Sequence, residues 1–218
     1  MRQNISDGAK PMVKKADRPQ HIVKTALGLA AADRWSSVSM RDITEAANVS
    51  LSEMHALYPS KMSVLKAYFA LVDAAVLGTK FAFDDEDTAR DRLFDVLMRR
   101  FDALCEDRDG VLSILASLRC DPISALCLSA GLCGSMRWML EAAGIRATGP
   151  NGRLTVKGLT ALWLATLRVW ERDDSEDMAR TMAALDKNLR RAERLRSMLP
   201  SGRHSRRDDE AQPDASPA

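Results

Sequence analysis

The chain has 218 residues, of which 46% are hydrophobic and 28% are charged, so it is long enough to bury one good core and a smaller second one. Its 32 lysines and arginines nearly balance its 30 aspartates and glutamates, which excludes a polycation that binds nucleic acid by charge alone. The apolar stretches at 123–136 and 158–170 are shorter than the ~20 residues of a membrane-spanning helix, and the first residues lack the apolar segment of a signal peptide. We therefore expect a cytoplasmic protein with no membrane partner.

Apolar residues recur at helical spacing in nearly every segment, which predicts an all-α fold of about nine helices. Residues 1–18 are polar and residues 200–218 hold no apolar repeat, so both ends are predicted to be disordered. The acidic segment 84–87 divides the remainder into a head, 19–80, and a body, 81–199. The N-terminal arm is basic and contains Lys10, Lys14, Lys15 and Arg18.

The head pattern predicts a packed first helix, two short helices and a long fourth helix. Capping boxes begin the two short helices, one formed by Ser39 with Asp42 and the other by Ser50 with Glu53. Pro59 ends the third helix, because the residue before proline is pushed out of helical geometry. Two short helices joined by a turn form a helix-turn-helix, whose second helix can enter a major groove.

The fourth helix, at 61–79, links the head to the body. The body pattern predicts five further helices, at 88–106, 110–119, 122–144, 153–172 and 175–198. The helix at 153–172 is apolar nearly all round, whereas the one that follows it has one apolar and one basic side. A monomer could not hide both apolar surfaces, so we predict a symmetric homodimer. Its predicted interface consists of Leu159, Leu162, Trp170, Met182, Leu185 and Leu189.

Large, adaptable side chains are concentrated in the body helices, which leaves two interpretations open. They form a core, or they line a pocket for a small apolar ligand. The residues concerned are Phe94, Met98, Phe101, Met136, Met139 and Trp163.

The remaining reactive residues do not form a catalytic pattern. The four cysteines, which lack CxxC spacing, are predicted to be buried free thiols, with a redox sensor as the alternative. The sequence contains no H-E-x-x-H motif, no Cys/His metal spacing and no Gly-rich phosphate loop. We therefore predict no enzyme, no catalytic residue, no metal and no cofactor.

The stretch SMRDITEAANVSLSEMHALYPSKMSVL resembles the helix-turn-helix signature of the TetR family of regulators, and residues 19–72 match it in length and register. The resemblance implies a TetR-like fold and a dimer that binds double-stranded DNA. It assigns phosphate contacts to Ser39, Arg41 and Lys61. The residues that it turns toward the groove are Ser50, Leu51, Ser52 and His55, and those that it places in the core are Met54, Leu57 and Tyr58.

The sequence departs from the family pattern in the head. Asn48 stands where the family prefers glycine, His55 stands where a phosphate-binding tyrosine is usual, and the third helix carries Glu53 but no lysine or arginine. Near the C-terminus, VWERDDSEDMARTMAALDKNLRRAE resembles ubiquinone-biosynthesis proteins that use the TetR fold to bind isoprenoid lipids. The predicted function is a TetR-type transcriptional regulator on an inverted-repeat operator, released by a small apolar ligand. The alternative is an isoprenoid or quinone lipid-binding protein with a vestigial helix-turn-helix.

Overall fold

The computed structural model describes residues 16–198. These residues form nine α-helices and no β-strand, which confirms the predicted all-α architecture. The helices are α1 (Arg18–Ala32), α2 (Met40–Ala46), α3 (Leu51–Leu57), α4 (Lys61–Leu77), α5 (Ala89–Cys105), α6 (Arg108–Cys120), α7 (Pro122–Ala142), α8 (Gly149–Trp170) and α9 (Ala179–Met198).

The head is built from α1, α2, α3 and the first turns of α4 around a small apolar core. Trp35 follows α1 and is almost completely buried together with Ile22 and Ile43. At the start of α2, Ser39 and Asp42 make both bonds of the predicted capping box. This box satisfies backbone N–H groups that the first turn of a helix leaves without partners.

The predicted capping box of α3 is only half formed. The Ser50 hydroxyl oxygen accepts a hydrogen bond from the Glu53 backbone N–H at 3.1 Å. The Glu53 carboxylate instead accepts one from the Arg18 guanidinium at 2.7 Å. Arg18 therefore belongs to α1 and to the head, not to a basic arm. The other predicted arm residues, Lys10, Lys14 and Lys15, lie outside the described residues.

The body surrounds α5, which packs against α4, α7 and α9. The ring of Phe101 stacks on that of Trp163 with their centroids 4.3 Å apart, and Met136 and Met139 are completely buried beside them. Phe94 and Met98 pack against the same core and are half-buried. These contacts agree with the core interpretation of the six residues, and the apolar ligand remains a prediction.

The predicted dimer-interface residues need correction. Leu159, Leu162, Trp170, Leu185 and Leu189 are buried within a single chain, and Met182 is half-buried. The five buried side chains are covered by their own subunit, because α8 packs against both α7 and α9. Any dimer must therefore use residues that face outward.

The starts of α8 and α9 differ from the predicted starts by four residues each. α8 begins at Gly149 inside the predicted loop, because Pro150 fits the first helical turn, where its missing N–H costs nothing. α9 begins at Ala179 rather than at Ser175. Met178 adopts a positive φ of 54° just before it, and the hydroxyl of Ser175 accepts a hydrogen bond from the Ala179 N–H at 3.0 Å.

Burial of the four cysteines was predicted incorrectly for two of them. Cys105 and Cys133 are half-buried, whereas Cys120 and Cys127 are exposed, and all four are free thiols. Cys120 lies at the end of α6, and Cys127 lies on the outer side of α7. A long apolar pattern placed them in a core that the fold does not build there.

Among the described residues, α7 is the only helix long and apolar enough to cross a membrane, and only 22% of its most apolar window is buried. Length and composition are weak evidence for a membrane span, since the core helix of a soluble protein passes the same test. α7 is longer than the apolar stretch 123–136 on which the sequence-based expectation rested.

The head is joined to the body mainly through α1 and α6. The Ser113 hydroxyl oxygen accepts a hydrogen bond from the Trp35 N–H at 2.9 Å and donates one to the Asp33 carbonyl at 3.1 Å. Lys24 of α1 pairs with Asp107 at 2.7 Å. Gly110 faces the backbone of Leu27 without a side chain between them. The position of α6 thus determines the position of the loop that precedes α2.

We expect Gly110→Ala to lower the free energy of unfolding by about 2 kcal/mol. The added methyl group would lie 2.5 Å from the Leu27 carbonyl oxygen, so α1 and α6 would have to move apart. Urea unfolding followed by circular dichroism measures the loss. Gly28→Ala in α1 is the control, because its new methyl group meets nothing within 4 Å. Equal stability of the Gly110→Ala protein and the wild type would contradict this close helix contact.

Candidate nucleic-acid interface

The turn between α2 and α3 exposes the residues that the sequence assigned to DNA. Asn48 takes a left-handed φ of 53°, which asparagine tolerates better than most residues other than glycine. The turn leaves all but one of the predicted contact residues exposed. The exposed ones are Ser39, Arg41, Ser50, Leu51, Ser52 and His55.

The capping serine of α3 keeps a donor for phosphate. Ser39 and Ser50 each accept a hydrogen bond from a backbone N–H with their hydroxyl oxygen, at 3.2 and 3.1 Å. A hydroxyl also carries one proton that it can donate. The proton of Ser50 is therefore available to an acceptor such as a phosphate oxygen, whereas the Ser39 hydroxyl also faces the Asp42 carboxylate.

The inner side of α3 holds the helix against the head. Met54 is buried as predicted, and the Tyr58 hydroxyl donates a hydrogen bond to the Pro19 carbonyl at 3.2 Å. Burial raises the pKa of Tyr58, so this phenol stays protonated as a donor. Leu57, predicted as core, is exposed. The family resemblance placed it in the core, but α3 ends at Leu57 and its last turn is left uncovered.

Lys61 has protein partners that the sequence did not indicate. Its ammonium donates to the carbonyl oxygens of Trp35 at 2.5 Å and Val38 at 2.6 Å, and it lies 4.4 Å from the centre of the Trp35 ring. Burial lowers the pKa of Lys61, against the opposite effect of the Asp42 charge. Lys61 therefore holds the loop before α2, and one of its three N–H donors is left for a phosphate.

The exposed side of α2 and α3 carries few charged side chains. The pKa of Asp42 is lowered by hydrogen bonds from the backbone and hydroxyl of Ser39, so a fixed negative charge stands at the start of α2. The single acid of α3, Glu53, is paired with Arg18. With no lysine or arginine between Leu51 and Leu57, α3 offers hydroxyls, an imidazole and apolar groups to a partner.

Nothing in the described part of the chain resembles a metal centre, since no group of three or more His, Cys, Asp or Glu side chains comes together there in a metal-binding arrangement. The candidate functional surface is the exposed side of α2 and α3. Two features of this surface were not predicted from the sequence. One is the Arg18 to Glu53 pair, which joins residues 35 positions apart. The other is the dependence of α2 on Ser113 of the body.

Neither a protein-family model nor a curated protein matches the sequence. Solved structures do match the fold. A TetR transcriptional regulator from Nitrosomonas europaea ATCC 19718 is 26% identical over 81% of this chain and 98% of its own, with a TM-score of 0.66. A TetR transcriptional regulator from Rhodococcus sp. RHA1 is 18% identical over 81% of this chain and 97% of its own, with a TM-score of 0.59. A TetR-family regulator from Streptomyces coelicolor is 18% identical over 84% of this chain and 85% of its own, with a TM-score of 0.55.

Proposed function

Because this chain has the fold of the TetR-family regulators, we propose that it is a DNA-binding transcriptional regulator, which acts in the cytoplasm as a homodimer on an inverted-repeat operator. The observation that carries the proposal is the solvent-exposed side of α3, which follows the left-handed turn at Asn48. A short helix presented in this way fits the major groove. A small apolar ligand of the body is the proposed releasing signal.

Each exposed head residue takes a role from its chemistry. Arg41 contacts phosphate as a charge on the outer side of α2, and Ser39 and Ser50 contact phosphate at the helix starts. Ser52 and His55 contact base edges, and Leu51 contacts thymine methyl groups. Lys61 serves mainly to hold the loop before α2, and its third N–H donates a hydrogen bond to the phosphate backbone of the DNA.

We expect Arg41→Ala to weaken binding to all duplexes about equally and to lower the salt slope by about one unit. A phosphate contact carries no sequence information, so base preference stays the same. Ser52→Ala is expected to change preference at one base pair, with a cost of about 1–3 kcal/mol for the preferred base. Fluorescence anisotropy at several salt concentrations, on an operator and on its single-base variants, measures both effects.

Lys187→Ala on α9 is the matched control, since it removes an exposed positive charge from the body. It should leave affinity and salt slope close to those of the wild type. A salt slope unchanged by Arg41→Ala but changed by Lys187→Ala would contradict the assignment of the interface to the head.

The alternative function is that of an isoprenoid or quinone lipid-binding protein with a vestigial helix-turn-helix. Two observations favour it: α3 lacks lysine and arginine, and much of α7 exposes apolar side chains. Lipid binding and DNA binding share this fold, so the fold alone does not choose between them.

A further inference from the structure

The two short helices of the head carry more negative than positive charge. α2 contains Asp42 and Glu45 with one cation, Arg41, and α3 contains Glu53 with no lysine or arginine. These three acids and one arginine give a net charge of −2 at pH 7, with histidine counted as neutral. DNA carries one negative charge per ~1.7 Å of helix axis and is bound mainly through lysine and arginine. A head that binds DNA with these helices therefore needs cations from the helices on either side.

The cation on the C-terminal side, Lys61 of α4, is largely engaged by the protein. It donates to two backbone carbonyl oxygens of the loop before α2, which leaves one of its three N–H groups. The cation on the N-terminal side is Arg18, the first residue of α1. Its guanidinium Nη1 lies 2.7 Å from the Glu53 carboxylate, and the two side chains are 27% and 25% exposed. The pair therefore lies at the surface of the head, beside α3.

The first turn of α1 is held against α3 at two points. Besides the ion pair, the Tyr58 hydroxyl donates a hydrogen bond to the Pro19 carbonyl at 3.2 Å. Glu53 lies in the first turn of α3, where its N–H is bonded to the Ser50 hydroxyl. The first turn of a recognition helix contacts base edges, and phosphates flank it. Arg18 is thus attached to the end of α3 that approaches the DNA backbone.

We propose that Arg18 contacts a DNA phosphate beside the recognition helix, with Glu53 as the residue that positions it. The proposal rests on the proposed function and extends its DNA interface from α2 and α3 to the start of α1. A guanidinium is a planar fork of five N–H donors, so it can bind a carboxylate with one edge and a phosphate with another. Glu53 orients this fork and offsets its charge, so that the contact adds position without much attraction to random DNA.

Fluorescence anisotropy of a labelled duplex of random sequence, at several salt concentrations, tests the contact. Glu53→Gln removes the negative charge but keeps an oxygen that accepts from Arg18. Affinity should therefore rise several-fold, and the salt slope should rise by about one unit. In this Glu53→Gln background, Arg18→Ala should lower affinity about tenfold or more and lower the salt slope by about one unit. Arg18→Lys should keep the slope, because the charge remains.

The Glu53→Gln background separates a phosphate contact from simple neutralisation. In the wild-type background, Arg18→Ala leaves the Glu53 carboxylate without this partner near the DNA, so binding weakens whether Arg18 contacts phosphate or only neutralises Glu53. Once residue 53 is neutral, only a contact between Arg18 and the DNA predicts the further tenfold loss.

Arg190→Ala in the same background is the matched control. It removes an arginine from another exposed ion pair, the one with Asp186 on α9 at 2.7 Å, and should leave affinity and salt slope unchanged. Circular dichroism and thermal unfolding verify that each variant is folded. Arg18→Gln keeps an N–H donor for residue 53 and removes the charge, so it replaces Arg18→Ala if the alanine variant is unfolded.

Two outcomes would overturn the proposal in different ways. An Arg18→Ala change that has no effect in the Glu53→Gln background, or no more effect than Arg190→Ala, would reduce the pair to a structural contact between α1 and α3 and leave the proposed regulator intact. A wild-type protein that binds no duplex even at low salt would reject both the Arg18 contact and the proposed function.

Discussion

Leu162→Glu is expected to unfold the subunit, with a loss of more than about 4 kcal/mol of unfolding free energy. Leu162 is 8% exposed and belongs to the core that joins α8 to its neighbours. A carboxylate at this position would be buried without a partner. Circular dichroism and thermal unfolding of the purified variant measure the effect, and we expect lost helicity rather than a folded monomer.

Leu164→Glu is the matched control, since it places the same charge two residues along the same helix on an exposed position. It should keep the helix content of the wild type. A Leu162→Glu protein that is folded but monomeric would contradict the packing of α8 described above. It would restore Leu162 to the dimer interface that its sequence pattern suggested.

Asp173→Ala is expected to cost about 3 kcal/mol of unfolding free energy, because it leaves buried donors without an acceptor. The Asp173 carboxylate, almost fully buried, accepts hydrogen bonds from the backbone N–H and the hydroxyl of both Ser175 and Thr181, at 2.5–3.3 Å. These bonds connect the end of α8 to the start of α9. Urea unfolding at neutral pH measures the loss, and Asp174→Ala, at the exposed neighbouring residue, should have little effect.

The contribution of Asp173 should depend on pH. Burial alone would raise its pKa, but the hydrogen bonds from Ser175 and Thr181 outweigh burial and lower the pKa to about 2. The ordinary value is 3.8, so the unfolded chain takes up the proton first as the pH falls. The stabilisation is therefore complete above about pH 4 and is lost toward pH 2. An Asp173→Ala variant whose stability falls as steeply as that of the wild type in this interval would contradict the assignment.

The sequence predicted well what depends on local chemistry. Ser39 with Asp42, Asn48 in the turn, and Pro59 after α3 determine backbone geometry within a few residues, so the helix-turn-helix could be placed from the sequence alone. The buried position of Met54 followed from the family resemblance. The family resemblance then supplied the overall architecture.

What the sequence missed depends on packing between distant segments. The apolar pattern of α8 could not show which of its sides another helix of the same chain covers, so Leu159 and Leu162 were assigned to a second subunit. The partners of Lys61 are backbone carbonyls, which have no sequence signature. Cys127 is likewise exposed because no helix of the described residues covers that side of α7, and residue spacing carries no information about such covering.

The central claim, that the head binds a specific DNA site, is tested most directly by selecting bound fragments from sheared genomic DNA with the purified wild-type protein. The account predicts enrichment of an inverted-repeat site that binds at least about a thousandfold more tightly than random duplex at the same salt concentration. Native mass spectrometry of the same preparation provides the comparison. Recovery of no enriched duplex, together with a co-purified isoprenoid or quinone lipid, would contradict the regulator and support the lipid-binding alternative.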